Sequence, residues 1–356
     1  MTAAASTGAP ARILATATAV PPHVLDQADV AARTAEIFAP LLPDIARFAP
    51  IYANAAIETR YSCVPLDWYA RPHDFSERND LYLRHAVDLL AVVAERLLAA
   101  AGLAAADIDG LVVASTTGIA TPSLDARLIA RLGLRRDVER TPLFGLGCGG
   151  GVAGLSRTAR LAAARGGPVY MFLVVELCGL TFRVNDVSKS NIVATALFGD
   201  GASGALLSTA GPGPALIASG EHTWPDTLDV MGWQVANDGL GVLFSQEIPA
   251  LIRRELRAPL AAFLAENGRE LADIDGFICH PGGAKVLDAL ECVFRLPAGG
   301  LAVPRDILRR YGNMSAATVL FVLDAVLRGA GGLTGRHLMS AMGPGFTASF
   351  ALLDGS

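Results

Sequence analysis

A duplicated α/β protein, with two halves of similar build over residues 1–210 and 211–356, is the architecture this sequence predicts. Three observations carry it. The pentapeptide A-D-I-D-G occurs at Ala106–Gly110 and again at Ala272–Gly276, an offset of 166 residues. Each copy follows a long helical stretch and leads into a short apolar strand, L-V-V-A-S-T in the first half and F-I-C-H-P in the second. Each half also closes on A-L-L, at Ala205–Leu207 and at Ala351–Leu353. Bulk composition agrees, because 356 residues with 52% hydrophobic side chains can bury a large core.

The same numbers exclude several classes. Arginines and aspartates interrupt every apolar run, so none reaches the roughly 18–20 residues of a membrane span. The N-terminal M-T-A-A-A-S-T-G-A-P-A-R lacks a basic stretch followed by an apolar core, so no secretion signal is expected. A net charge of −5 without a dense Lys/Arg tract makes nucleic acid a poor partner. Cysteines at 63, 148, 178, 279 and 292 show no C-x-x-C spacing. That pattern argues against a zinc site or disulfide framework and for a reducing, cytoplasmic setting.

Residues 12–20 (R-I-L-A-T-A-T-A-V) read as a first buried strand, stopped by Pro21 and Pro22. Gln27 to Tyr61 reads as helix broken at Pro40, Pro43 and Pro50, and Arg60 to Asn79, rich in Pro, Asp, Arg and aromatics, as a loop. Leu81 to Ala101 is a helix closed by Gly102, Leu111 to Ser115 a buried strand, and Thr121 to Leu132 another helix. A strand at Val169–Val175, a loop, and G-D-G-A-S-G-A-L-L-S finish the first half.

Between those elements lies Leu143 to Leu155, L-F-G-L-G-C-G-G-G-V-A-G-L, followed by an amphipathic helix that ends at Gly166-Gly167. Cys148 therefore falls at a helix N-terminus, where free N–H groups and the helix dipole favour a thiolate. A small core cysteine beside a tight turn is the plain alternative. The duplication supplies a test. Adding 165 to 148 gives Asn313, in Y-G-N-M-S, again a glycine turn opening a helix, with a simple helix cap as its alternative. Adding about 166 to the first strand end gives the region of His280, where an apolar strand stops at C-H-P-G-G. A strand tip can aim an imidazole rigidly into a cleft. Cysteine, histidine and asparagine suit acyl transfer: the imidazole supports the thiolate, and its N–H with the amide forms an oxyanion hole for a thioester. A neutral amide suits an enolate, to which it adds no negative charge.

These motifs resemble the type III polyketide synthases, the chalcone-synthase-like enzymes of the thiolase superfamily, over nearly the whole chain. The residues that carry the likeness are G-L-G-C-G-G-G around Cys148, V-E-L-C-G-L-T-F-R (175–183) and A-L-F-G-D-G (196–201). H-P-G-G (280–283), Y-G-N-M-S (311–315) and G-P-G-F (343–346) complete the set. The resemblance implies a thiolase-like αβαβα five-layer fold and a homodimer acting on free coenzyme A thioesters, with no metal or bound cofactor. It implies that Cys148 is acylated by a starter acyl-CoA while His280 and Asn313 bind and decarboxylate malonyl-CoA. Phe198 matches the phenylalanine between the coenzyme A tunnel and the reaction cavity, and Thr116, Thr181, Leu197, Met231 and Ser315 match cavity positions. Gly282, Gly283 and Ala284 match the coenzyme A side. Departures from the plant pattern point to a different starter. Val242 stands at the second gatekeeper phenylalanine, Trp233 replaces a cavity glycine, and Cys178 replaces a threonine. V-E-L-C-x-L-T-F and M-G-W resemble bacterial members that extend long fatty acyl starters into alkylpyrones or alkylresorcinols. Of three basic residues that grip coenzyme A phosphates, Arg47 is retained, with Pro50 and Asn54 at the other two. Thr121 is expected to reach across the dimer into the partner's cavity. The alternatives are a ketoacyl-synthase III-like enzyme condensing once on an acyl carrier protein, an inactive thiolase-fold scaffold, and a cysteine protease. Retention of all three polar residues counts against the scaffold, and the duplicated halves count against the protease.

Overall fold

A computed structural model describes residues 9–356, so the N-terminal stretch read for a secretion signal lies outside the described residues. The first strand, β1 (Arg12–Ala19), is where the sequence places it. The following segment differs from expectation. β2 (His23–Asp26) and β3 (Thr59–Ser62) pair antiparallel and bracket α1 (Gln27–Phe38) and α2 (Ala49–Asn54). The helix ends before Pro40, and Pro50 sits in the first turn of α2, where its missing N–H leaves nothing unpaired. Four-residue strands are too short to show a period, and β3 therefore does not stand out from the helical pattern before it.

The supposed loop 60–79 holds β3 and the start of α3 (Phe75–Ala101), which Asp74 caps by accepting the Glu77 N–H at 2.8 Å. The polar first turn, S-E-R-N-D, hides the apolar period there. Gly102, at φ +66°, ends the helix as expected. β4 (Ile108–Ala114), α4 (Leu124–Leu132), β5 (Glu139–Leu143), α5 (Gly150–Arg165) and β6 (Val169–Leu177) follow. The stretch after β6, read as loop, contains α6 (Lys189–Leu197), capped by Ser188, before β7 (Asp200–Ser208). The second half runs β8 (Ala215–Thr223), the hairpin β9 (Met231–Ala236) and β10 (Gly239–Phe244), α7 (Ile248–Glu255), α8 (Arg257–Glu266) and β11 (Gly276–Cys279). It closes with α9 (Ala284–Phe294), α10 (Ala302–Tyr311), α11 (Thr318–Arg328), β12 (Arg336–Gly343) and β13 (Thr347–Asp354).

Nine strands join edge to edge in the order β11-β12-β13-β8-β1-β7-β6-β4-β5. The halves meet where β1 and β8 pair antiparallel at Arg12 and Ala215. Outward from that seam the two sides match. β7 and β13 are antiparallel to their neighbours, then come β6 and β12, then β4 and β11 pairing parallel to them. Helices α5 and α11 lie in the middle, touching strands of both halves, with a shared core of Val152, Leu155, Val319, Leu320 and Leu323. α3 and α4 cover the outer face of the first half, and α7, α8 and α9 that of the second. The layers therefore run α-β-α-β-α.

The repeated pentapeptide does the same work twice. Asp107 and Asp273 each accept, at 2.8 Å, the N–H that opens a short 3₁₀ turn, from Ala104 and Glu270. Asp109 and Asp275 each accept the first N–H of the neighbouring parallel strand, from Val169 at 2.8 Å and Arg336 at 2.7 Å. Gly110 and Gly276 leave room for the ring of that strand's second residue. A Cβ would meet Tyr170 at 2.1 Å in one half and His337 at 2.3 Å in the other.

Candidate active site

Gly147–Gly149 form a 3₁₀ turn that runs directly into α5, so Cys148 stands at the N-terminal end of an enclosed helix. Glycine is required here for close approach. A Cβ on Gly147, at φ +46°, would lie 2.6 Å from the Pro344 ring, and one on Gly151 would lie 2.3 Å from the Ala316 carbonyl oxygen. In the other half Ser315–Ala317 form the matching turn into α11. Asn313 sits two residues ahead of it rather than at the helix start, and Phe198 and Asn313 face each other in a two-residue bridge.

His280 follows β11 directly, and its backbone N–H donates to the Ser340 carbonyl at 2.8 Å. A chain of short contacts unites the three residues. The Cys148 thiol donates to Ser315 Oγ at 3.5 Å. The Ser315 N–H donates to Asn313 Oδ1 at 2.8 Å, and Asn313 Nδ2 donates to the Gly282 carbonyl at 3.2 Å. A Cβ built on Gly282 would be 3.7 Å from the His280 ring. Gly282 therefore lies in van der Waals reach of the imidazole.

Electrostatics correct one expectation. Burial pushes the Cys148 thiol up to about 12, with the Glu176 carboxylate raising it further and the Ser315 hydroxyl opposing. Desolvation of the anion outweighs the helix end. Burial also lowers His280 to about 4, and both its ring nitrogens are buried without a hydrogen-bond partner among the described residues. Burial thus favours the uncharged form of each group, the thiol and the imidazole.

Glu176, on β6, is the functional candidate missed in sequence. It is fully buried, and one carboxylate oxygen accepts the Thr116 N–H at 3.0 Å and the Thr117 hydroxyl at 2.9 Å while the other has no partner. Burial raises it to about 7. Its signal was a lone acid inside the apolar strand V-Y-M-F-L-V-V-E-L.

Cys148 opens onto a cavity of about 400 Å³, walled by Cys178, Phe198, Met231, Trp233, Val242 and Ser315, together with Leu243, Phe244 and Pro344. A second cavity, of about 560 Å³, shares Cys178, Phe198 and Val242 with the first and extends under α1, between Val30, Ile37, Leu66, Tyr69, Thr181 and Phe182. Leu197 is buried against Gly283, beside Ala284 at the start of α9. Thr116 supports rather than lines the cavity: its hydroxyl accepts the Gly147 N–H at 3.1 Å. Two expected residues stand apart. Arg47 is exposed, paired with Asp44 at 2.6 Å, and borders neither cavity. Thr121 lies on the surface within one chain. Among the described residues no group of His, Cys, Asp and Glu converges in a way that could hold a metal ion. No helix among them is long and apolar enough to cross a membrane.

Residues 1–212 match the N-terminal domain of chalcone and stilbene synthases, and residues 215–355 match their C-terminal domain. The chain is 40% identical over 350 residues to a 1,3,6,8-tetrahydroxynaphthalene synthase of Streptomyces peucetius subsp. caesius, covering 96% of this chain and 92% of that protein. It is 29% identical over 354 residues to an alpha-pyrone synthesis polyketide synthase-like protein of Mycobacterium tuberculosis, covering 95% and 89%. The crystal structure of the 1,3,6,8-tetrahydroxynaphthalene synthase of Streptomyces coelicolor A3(2), a bacterial type III polyketide synthase, superposes with a TM-score of 0.92. That match is 28% identical and covers 96% of this chain and 99% of that one. The layered fold and these matches define a condensing enzyme of the thiolase-like class. The chain belongs to the chalcone and stilbene synthase family: it is a type III polyketide synthase, an acyltransferase.

Proposed function

We propose that the protein loads a medium- or long-chain fatty acyl group from its coenzyme A thioester onto Cys148. It then extends that group by repeated decarboxylative condensation with malonyl-CoA, releasing alkylpyrones, alkylresorcinols or both. The observation that carries this reading is the second cavity, whose lining is mostly apolar although Arg33, Arg60 and Asn191 also border it, and which shares Cys178, Phe198 and Val242 with the first. An acyl tail lying there would leave the catalytic cavity free for the growing chain.

In the proposed cycle, Cys148 attacks the starter carbonyl while its proton passes to a free ring nitrogen of His280, and coenzyme A leaves as the thiol after taking that proton. Malonyl-CoA then binds with its thioester oxygen on Asn313 Nδ2 and the His280 N–H. Its carboxylate carbon–carbon bond breaks, CO₂ departs, and the electron pair moves onto the thioester as an enolate held by those two donors. The enolate carbon attacks the acyl-Cys148 carbonyl and expels the thiolate. The lengthened chain, now on coenzyme A, returns to Cys148 for the next round. No metal or bound cofactor enters this scheme. A homodimer in the cytoplasm is part of the same reading, and the dimer draws support from Ile119 (47% exposed) and Phe144 (63% exposed), large apolar side chains left to solvent in the single chain.

A second reading draws support from the 40% identical relative, whose name describes a naphthalene product without an alkyl tail. One experiment separates the two. Purified protein is given malonyl-CoA alone, then malonyl-CoA with acyl-CoA starters from C2 to C18 and with aromatic starters, and products are identified by mass. Pyrones or resorcinols that keep a long alkyl tail are the expected result. A pentaketide naphthalene from malonyl-CoA alone, with acyl starters ignored, overturns the long-chain reading.

A further inference from the structure

We propose that Arg60 is a positioning residue for the decarboxylation step: it fixes the C-terminal end of α6 and, through that end, the backbone of Asn313. The proposal rests on the reading above, in which Asn313 binds the malonyl thioester.

A helix end leaves its last carbonyls without intrahelical donors. No left-handed glycine folds them back: Phe198 continues in extended conformation at φ −80° and ψ 141°, and Gly199 after it does not take a positive φ. Distant donors take every one of these carbonyls. Arg60 Nη1 donates to Thr195 and, at 3.3 Å, to Phe198. Arg60 Nη2 and Gln27 Nε2 both donate to Ala196, each at 3.1 Å. The Leu197 carbonyl accepts the Asn313 N–H at 2.8 Å, and the Gly199 N–H returns a bond to the Asn313 carbonyl at 3.0 Å.

Arg60 is 3% exposed, and its hydrogen bonds go to carbonyls rather than to a carboxylate. Its counter-charge is the negative end of α6, with the Tyr52 and Tyr69 phenols nearby. Burial lowers it to about 10, which leaves it a cation at neutral pH. Only a planar fork reaches three carbonyls at once, so lysine is not an equivalent.

The stem of Arg60 also forms the floor beneath the bridge. A Cβ on Gly199 would lie 3.3 Å from Arg60 Cβ and 2.5 Å from the Tyr311 carbonyl oxygen, and one on Gly312 would lie 3.5 Å from Arg60 Cβ. Leu197–Gly199 and Gly312–Asn313 are thus packed on one side chain and bonded to each other. The Asn313 amide is aimed from this backbone, whereas Cys148 is carried by α5. Loss of the guanidinium should therefore disturb the amide and spare the thiol. A misplacement of about 1 Å can cost on the order of a hundredfold in rate.

The test compares two half-reactions. Malonyl-CoA decarboxylation is measured in a Cys148→Ala chain with and without Arg60→Lys or Arg60→Gln. Acylation of Cys148 is measured by intact mass with acetyl-CoA, whose two-carbon acyl group is too short to occupy the second cavity that Arg60 borders, in chains with the cysteine present. Folding is checked by circular dichroism and melting. The expected result is a ten- to roughly hundredfold fall in decarboxylation with acylation within about threefold of the parent, and partial recovery of Arg60→Ala on adding guanidinium ion. If Arg60→Ala does not fold, Gln27→Met, which removes one of the two donors on Ala196, should lower decarboxylation in the same direction by a smaller factor. Unchanged decarboxylation in folded Arg60 variants, or equal loss of both half-reactions, overturns the proposal. An Asn313→Ala control separates the two levels. If that variant decarboxylates at the parental rate, the assignment of Asn313 fails, whatever the Arg60 variants do.

Discussion

In the first half the turn Gly147–Gly149 brings a cysteine to the head of α5, and in the second the turn Ser315–Ala317, with Asn313 just ahead of it, leads into α11. Both helices are enclosed by the two halves of the sheet, in which four strands on each side match and β5, at the edge of the first half, has no counterpart. The halves part company in what is inserted after their matching first strands. After β1 come α1, α2, β2 and β3, which supply Leu25, Val30, Arg60 and Tyr69 to the second cavity. After β8 comes the β9–β10 hairpin, which supplies Met231, Trp233 and Val242 to the first. Outer cover differs as well. An unbroken α3 faces the first sheet, whereas the chain carries Pro249 and Pro259 in α7 and α8 over the second. The duplicated part holds the polar cluster and the unduplicated inserts shape the space around it, so chemistry and product range can change separately.

The largest expected effect breaks the equivalence outright. Cys148→Ala should reduce polyketide formation to background yet leave malonyl-CoA decarboxylation measurable by CO₂ release, because Asn313 and His280 still receive the enolate. Equal loss of both activities would mean the halves do not divide the work. The mirror change, Asn313→Ala, should lower decarboxylation by about 10²–10³-fold and preserve acylation of Cys148, read by intact mass.

A third test compares the two copies of the pentapeptide. Gly110→Ala collides with the ring of Tyr170, which is 1% exposed and whose hydroxyl donates to Glu139 at 2.7 Å. That substitution should destabilise by about 1–3 kcal/mol in urea unfolding. Gly276→Ala meets the half-buried His337 ring, which can swing outward, and should cost no more than about 0.5 kcal/mol. Equal costs would show that the two positions are under equal strain.

The smallest effect concerns Glu176, an acid with no counterpart in the C-terminal strand β12. Its charge raises the Cys148 thiol, so Glu176→Gln should move the pH profile of Cys148 alkylation to lower pH, by less than about one unit. The stability consequence has a definite sign. The Glu176 pKa, raised from 4.5 to about 7, means that the folded state binds this proton more tightly than the unfolded one. The favourable contribution is complete below about pH 4.5 and is lost as pH rises through 7. In melting experiments Glu176→Gln should therefore gain on the parent as pH rises across that window.

Much of this molecule is written in local pattern. The A-D-I-D-G copies mark equivalent strands because each of their side chains has a short-range task, and glycine turns mark where the two central helices begin. Cys148 stands out by its glycine-flanked helix start, and the repeat offset then points to Asn313 and the region of His280. Other features were invisible for physical reasons. β2 and β3 are too short to carry a period, and α6 is stabilised less by its own pattern than by donors contributed by Arg60, Gln27 and Asn313 from elsewhere in the chain. The protonation states of Cys148, His280 and Glu176 depend on desolvation, which is set by what packs around a group and not by its neighbours in sequence. The sequence by itself determined the duplicated layers and the three polar residues, since turns, caps and apolar periodicity act over a few residues. Only the tertiary structure decided the burial that favours uncharged Cys148 and His280, the pairing of two cavities across Cys178, Phe198 and Val242, and the bracing of Asn313 by Arg60, because each depends on contacts between segments that are not neighbours in the chain.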